Sequence, residues 1–300
     1  MSYIGEISGL ITAFLWSGTS IAFASAALRI GSIQLNINRM LLAAVLLFLT
    51  ISIGNINYSL SSSQIYFLVL SGIAGLVIGD TFLFKAFQYI GARIGMLLMA
   101  LVPAMSTILA FVFLEESISS AGIFGMLVTL TGISIVVLEK KNNQSSSSAT
   151  KTKYQKPGIF YGILGALGQA SGLVLAKFAF DEGSINGFVA TFIRISSSVI
   201  MMIFLALVMR KYKNPVKLYL KDQKAFAATV FGTILGPYLG ITFSLISISN
   251  TKVGIASTLM STVPVIMLPL IRYYYKERLS WKSISGAFLA VCGVAILFLR

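Results

Sequence analysis

Runs of about 20 apolar residues recur along the whole chain, and they leave few folds open. A helix needs about that length to cross ~30 Å of hydrocarbon. Within lipid, only helices and closed barrels satisfy their own backbone N–H and C=O groups. These runs are too long and too continuously apolar for barrel strands, so the sequence predicts an all-α integral membrane protein. Composition agrees: 57% of the 300 residues are hydrophobic and 11% are charged, against about 25% charged in an ordinary soluble domain. The net charge of +14 raises the question of nucleic acid. Most Lys and Arg, however, stand in short clusters between apolar runs, as interface anchors do, and not on one basic face or stripe. No nucleic-acid partner is expected.

The spans fall near Ile7–Leu28, Ile33–Ile53, Ile65–Gln88, Ala92–Phe113 and Ala121–Leu138, then Pro157–Phe180, Gly187–Met209, Ala225–Ile248, Val253–Tyr275 and Trp281–Leu299. Between the fifth and sixth lies EKKNNQSSSSATKTKYQK, whose Ser, Asn and Lys content builds no core and reads as a flexible linker. This divides the chain into residues 1–138, a linker at 139–156, and residues 157–300. Pro157 suits the first turn of the sixth span. The start MSYIGEISGL lacks a basic leader region, so no cleavable signal peptide is expected. Cys292, the single cysteine, lies in the last apolar run and reads as a small hydrophobe.

The two halves repeat. Ala92–Leu138 lies over Val253–Leu299 without a gap, placing Pro103 on Pro264, Glu116 on Glu277, Gly125 on Gly286 and Gly132 on Gly293. Arg39 and Arg194 take similar places early in the second and seventh spans. With five spans per half, an odd number, the second half enters the membrane from the opposite side. Inverted repeats of this kind suit alternating access, because each half can adopt the other's conformation. The expectation is therefore a ten-helix protein built as two inverted five-helix repeats.

Three motifs carry a resemblance to a known family. The Trp-containing first span (GLITAFLWSG, Gly9–Gly18), the Pro-then-Glu stretch LVPAMSTILAFVFLEESIS and its echo TVPVIMLPLIRYYYKERLS resemble the EamA family of the drug/metabolite transporter superfamily. The closing G-x6-G helix of each half fits as well. The resemblance covers essentially the whole chain. It implies helices around a central cavity and export of amino acids, metabolites or drugs.

Several residues are candidates for roles in such a protein. Asp80, in GLVIGDTFLF, is the only acid well inside an apolar run, and an intramembrane acid is costly. It can bind a cationic group, carry a coupling proton, or pair with Arg39, Lys85 or another buried base. The matched stretch, GPYLGITF, offers Pro237 and Tyr238 instead. Trp16, Gln88, Gln169 and Tyr238 are the other cavity-lining candidates. Arg39, Lys85, Lys177 and Arg194 are gate or ion-pair candidates, the two lysines also being placed to snorkel. Pro103 and Pro264 read as mid-helix kinks and paired hinges. Glu116 and Glu277 are expected to cap the next helix or pair with loop bases, with Ser119 and Ser280 as N-caps. Glycines at helical spacing (Gly158, Gly162, Gly165, Gly168 and Gly172; Gly72, Gly75 and Gly79; Gly232, Gly236 and Gly240) read as close-packing faces.

With no His and one Cys, the chain has no ligand set for a metal site. Neither an enzyme activity nor a cofactor is expected. No P-loop GKS/GKT sequence is present. The leading expectation is a secondary transporter that exports a small solute by alternating access in a bacterial-type cell membrane, either driven by a gradient, with protons as a candidate coupling ion, or acting as a facilitator. A channel, or a non-transporting sensor or assembly partner, is the alternative. Basic residues in the loops after the fifth, seventh and ninth spans place both termini outside by the positive-inside rule, whereas the family resemblance implies termini in the cytoplasm.

Overall fold

A computed structural model describes residues 3–139, 155–208, 212, 214–263, 265–266 and 280–298. Among these residues the secondary structure is entirely helical. The first half holds α1 (Ile4–Ile30), α2 (Ser32–Ile53), α3 (Ser62–Gly72), a π-helical segment (Ile73–Gly79), α4 (Asp80–Met99), α5 (Val102–Leu114) and α6 (Ser120–Glu139). The second holds α7 (Gln155–Asp181), α8 (Gly187–Val208), α9 (Pro215–Lys221), α10 (Gln223–Thr233), a second π segment (Ile234–Gly240), α11 (Ile241–Asn250), α12 (Val253–Met260) and α13 (Trp281–Phe298).

Six stretches are long and apolar enough to cross a bilayer: Ile4–Ile30, Ser32–Ile53, Ser62–Ile90, Lys156–Asp181, Gly187–Val208 and Gln223–Asn250. Shorter apolar helices accompany them at Val102–Leu114, Ser120–Ile135 and Ile284–Ile296. The surface is that of a lipid-facing protein. Phe14, Phe111, Phe204 and Phe288 are all more than 60% exposed, while Thr12, Asn36, Ser71, Thr191 and Ser198 are fully buried. Apolar groups outside and hydrogen-bonded polar groups inside is the arrangement that hydrocarbon solvent favours.

The expected spans are modified in three places. The boundary expected between Gln88 and Ala92 falls inside α4, which runs on to Met99. A Cβ built on Gly95 would stand 2.6 Å from the Phe87 ring, although eight residues of straight helix span about 12 Å. The axis therefore turns sharply between the two. Secondly, the expected fourth and ninth spans are each interrupted. The first breaks at Ala100–Leu101, the second at Ser261–Thr262, matched positions in the gapless register. Pro103 is thus no mid-helix kink: it stands in the first turn of α5, where its missing N–H strands no acceptor. Pro264, and Glu277 with it, lies outside the described residues. Thirdly, a short helix, α9, occupies what reads from sequence as loop. Asn214 caps it, accepting from the N–H groups of Val216 and Lys217 at 3.0 and 3.3 Å, and Pro215 opens it.

The glycine faces are seams where helices touch backbone to backbone. A Cβ on Gly172 would meet Gly75 Cα at 2.9 Å, and one on Gly168 would meet Gly79 Cα at 2.8 Å. In this way α7 packs directly onto the first π segment. Gly232 and Gly236 likewise receive Phe23 and Thr19 of α1. Between α6 and α13 the contact is reciprocal: a Cβ on Gly132 would meet the Gly286 carbonyl, and one on Gly286 the Gly132 carbonyl. Gly31 joins α1 to α2 in a single residue at φ +85 and ψ 155, a conformation that is essentially glycine-only.

Polar contacts tie the loops together at one end of the molecule. Ser61 and Ser63 donate to Glu182, Lys252 donates to the Ser117 carbonyl, and Lys177 pairs with Asp181 at 3.3 Å. Glu116 caps a helix, as expected, but a different one. Its Oε2 accepts from Val253 N–H at 2.9 Å, at the start of α12 in the other half. Ser119 caps α6 through Gly122 N–H at 3.1 Å. Burial holds the Glu116 carboxyl above the usual glutamate range, against the opposing pull of the Val253 N–H. A raised carboxylate pKa weakens the folded state as pH climbs through it, since the charged form is the penalised one. Glu116→Gln keeps the acceptor without the charge. Its melting temperature is expected to match wild type at low pH and to exceed it progressively as pH rises from about 4.5. Glu116→Ala, which removes the cap, is expected to cost about 1 kcal/mol at low pH and less as pH rises, because it also removes the penalised charge; both variants are measured by thermal unfolding of the purified protein.

Candidate functional site: a cavity with three buried charges

The first π segment sets the site. Its i→i+5 bonding is wider than an α-turn and leaves carbonyls available to other donors. Asp80 N–H bonds the Gly75 carbonyl across that turn, which begins α4 with Asp80 pointing into the protein interior, 7% exposed. Arg39 of α2, 5% exposed, donates through Nη2 to Asp80 Oδ2 in a short ion pair. From α7, Gln169 Nε2 donates to Asp80 Oδ1 at 2.6 Å and to the Gly75 carbonyl at 3.3 Å.

The Arg39 guanidinium is also held from its own helix. Nε and Nη2 donate to Asn36 Oδ1 at 3.0 and 2.8 Å, one helical turn earlier. Asn36 in turn donates to the Leu76 carbonyl and to Thr81 Oγ1, both at 3.1 Å. The rings of Phe23 and Phe84 sandwich the guanidinium, their centroids 5.0 and 4.7 Å away, a favourable cation–π arrangement where water is excluded. Four helices and a π segment therefore converge on one satisfied network.

This network forms part of the wall of a cavity of about 160 Å³. Trp16, Asp80 and Gln169 line it, as do Arg39 and Arg194. Residues beside both helix interruptions reach it as well: Met99, Ala100 and Val102 on one side, Met260, Ser261 and Val263 on the other. Both halves of the chain thus contribute to one chamber.

The other candidates sit elsewhere. Gln88 is exposed and donates to the Ala27 carbonyl at 3.4 Å. Tyr238 packs on Phe188, its hydroxyl 2.7 Å from Thr50 Oγ1. Neither belongs to the cavity lining. Lys85 lies over the rings of Phe82 and Tyr161, at 5.6 and 5.3 Å. Lys177 holds Asp181 and donates to the Ile248 carbonyl at 3.3 Å. Pairing Asp80 with Arg39 was among the options the sequence left open; Lys85 is not the partner. Sequence reading missed Asn36 and the two phenylalanines. Asn36 carried a usable signal, being an amide three residues before Arg39 and so on the same helix face.

Comparison with known proteins bears on the whole chain. The sequence model of the EamA-like transporter family matches residues 3–138 and 156–299, the stretches on either side of the polar segment. A protein of Archaeoglobus fulgidus described as an uncharacterized transporter is 20% identical over 294 residues, covering 98% of this chain and 97% of its own. A crystal structure of a protein 16% identical in sequence superposes with a TM-score of 0.78, covering 100% of this chain and 98% of its own. That likeness establishes the fold.

The network's arrangement makes its energetics testable. Removing one member of a buried ion pair strands the other, at a cost of about 3–5 kcal/mol, whereas replacing both with apolar groups is often near neutral. Asp80→Leu and Arg39→Met are each expected to lower the unfolding free energy on that scale, and the double variant to recover most of the loss. Asp80→Leu should be the more severe, since it leaves two buried arginines without an acid among the lining residues. Unfolding of the four proteins of this cycle measures the coupling directly.

Proposed function

The chain belongs to the EamA-like transporter family, and from that premise we propose that it is a secondary transporter which exports a small solute across the cell membrane by alternating access. The observation that carries the proposal is a cavity walled by both halves at their matched helix interruptions. Discontinuous helices around a chamber are a recurring means by which carriers bind a solute and then rock about it. In this reading residues 1–138 and 157–300 are inverted repeats and residues 139–156 join them. Three further features favour it. The two π segments fall on each other in one register. The α6–α13 contact is reciprocal through Gly132 and Gly286. Arg39 and Arg194 are each the eighth residue of a helix 22 residues long.

The glycine seams serve the motion as well as the packing. Smooth backbone surfaces let α7 and the first π segment shift without interlocked side chains having to separate. The contacts of Glu116 with Val253 and of Lys252 with Ser117 join the halves at one end, and alternating access would release them. The size of the cavity bounds the solute. Counting one water per 10–15 Å³ on this scale, it holds about a dozen water-sized groups, the bulk of a small metabolite.

Counterflow in proteoliposomes tests the proposal. Purified protein preloaded with unlabelled solute is expected to accumulate at least one labelled compound from a panel of amino acids and other small metabolites. Asp80→Asn, which loosens the Arg39 and Gln169 contacts, is expected to reduce that flux at least tenfold. A steady single-channel conductance in planar bilayers would overturn the carrier reading in favour of a channel.

A further inference from the structure

Arg194 is the one arginine of the cavity for which no side-chain hydrogen bond is formed among the described residues, Asp80 reaching it only through longer-range attraction. It is 2% exposed and lines the chamber, yet Nε and Nη1 have no hydrogen-bond partner and it forms no ion pair among the described residues. Its backbone is pinned: the Arg194 carbonyl accepts from Ser197 Oγ at 3.0 Å and from Ser198 Oγ at 2.6 Å. Gly75 leaves it room, since a Cβ there would stand 3.2 Å from Arg194 Nη2. A buried guanidinium with idle donors is among the most costly arrangements a protein can hold.

The repeat shows what has been taken away. In the register that lays Ser32–Ile53 over Gly187–Val208, Arg39 falls on Arg194 and Asn36 on Thr191, whose hydroxyl donates to its own helix at the Gly187 carbonyl, 2.7 Å away. In the register that lays one π segment on the other, Asp80 falls on Ile241, a cavity-lining residue, and Phe84 on Leu245. The first half surrounds its arginine with an amide, a carboxylate and two aromatic faces. The second half keeps the arginine but carries Thr191, Ile241 and Leu245 where the first half has Asn36, Asp80 and Phe84.

Charge and geometry then specify the ligand. The charged lining residues are Arg39, Asp80 and Arg194, leaving the chamber one positive charge in excess. Both Asp80 oxygens already accept hydrogen bonds, so the cavity offers a cation little, whereas a carboxylate suits a lining guanidinium whose Nε and Nη1 are without hydrogen bonds. Most of the remaining wall is apolar, with Trp16, Leu173, Pro237 and Met260 among its residues. We infer that the cavity receives a small organic carboxylate, its anionic group bound by Arg194 and its apolar body against that wall. This assignment rests on the transport reading for its purpose, but not for its test.

The test compares phenylacetate with phenylacetamide, which match in shape and differ in charge, on the full chain in detergent. Phenylacetate is expected to raise the melting temperature and to bind at least tenfold more tightly than the amide. Arg194→Gln should abolish that preference and, having lost an unsatisfied buried charge, should melt higher than ligand-free wild type. Arg194→Lys should retain the preference. Equal affinity of acid and amide in wild type would overturn the assignment, and that comparison needs no variant to fold. So would an unchanged preference in Arg194→Gln, or equal stabilisation by sodium chloride alone. Acid preference without counterflow of any solute would leave the anion site standing and remove the transport reading. Counterflow with no acid–amide difference would do the reverse.

Discussion

The ion pair between Arg39 and Asp80 is the interaction around which the interior is arranged. An unpaired charge at this depth is costly because neither lipid nor packed side chains can solvate it. Each oxygen of Asp80 therefore finds a donor, and the donors arrive from separate elements: Arg39 from α2 and Gln169 from α7. The same requirement fixes Asn36, which holds both Arg39 and the carbonyl of Leu76. Satisfying one carboxylate thus sets the relative positions of α2, the first π segment, α4 and α7.

That arrangement needs helices that approach closely without a hydrophobic drive between them. Hydrocarbon chains are as apolar as leucine, so association depends on van der Waals contact and interhelical hydrogen bonds. Gly75 and Gly79 against Gly168 and Gly172 bring backbones to within contact, close enough for the Gln169 side chain to reach Gly75 and Asp80 together. At that seam the Gly75 carbonyl of the π segment accepts from both Asp80 N–H and Gln169. Glycines and buried charges are therefore parts of one device.

Departures from symmetry between the halves are as informative as the matches. π segments, helix interruptions and the pair of arginines coincide, which is the mark of a shared scaffold. The partner sets do not coincide. One arginine is locked into structure; the other lines the chamber, its Nε and Nη1 without hydrogen bonds. At the matched positions Asp80 corresponds to Ile241 and Asn36 to Thr191, so the walls contributed by the two halves differ in chemistry.

Much of this was legible in the sequence, for physical reasons. Apolar run length identified the solvent as lipid and the fold as helical. Residue spacing showed the glycine faces, and the rarity of an intramembrane acid singled out Asp80. These are one-dimensional signals, since each depends only on composition or on helical period. What the tertiary structure decided were matters of pairing and of local backbone geometry. Asp80 had several bases within conceivable reach, and only the packing chose Arg39 over Lys85, which lies on aromatic rings instead. Pro103 read as a kink, because a proline inside an apolar run looks the same whether it bends a helix or starts one. Glu116 was recognised as a cap, but the helix it caps lies 137 residues on. Arg194 was visible as a buried base, but the missing hydrogen bonds of its Nε and Nη1 among the described residues could not be, because an unmet hydrogen bond is a statement about neighbours that only the folded chain assembles.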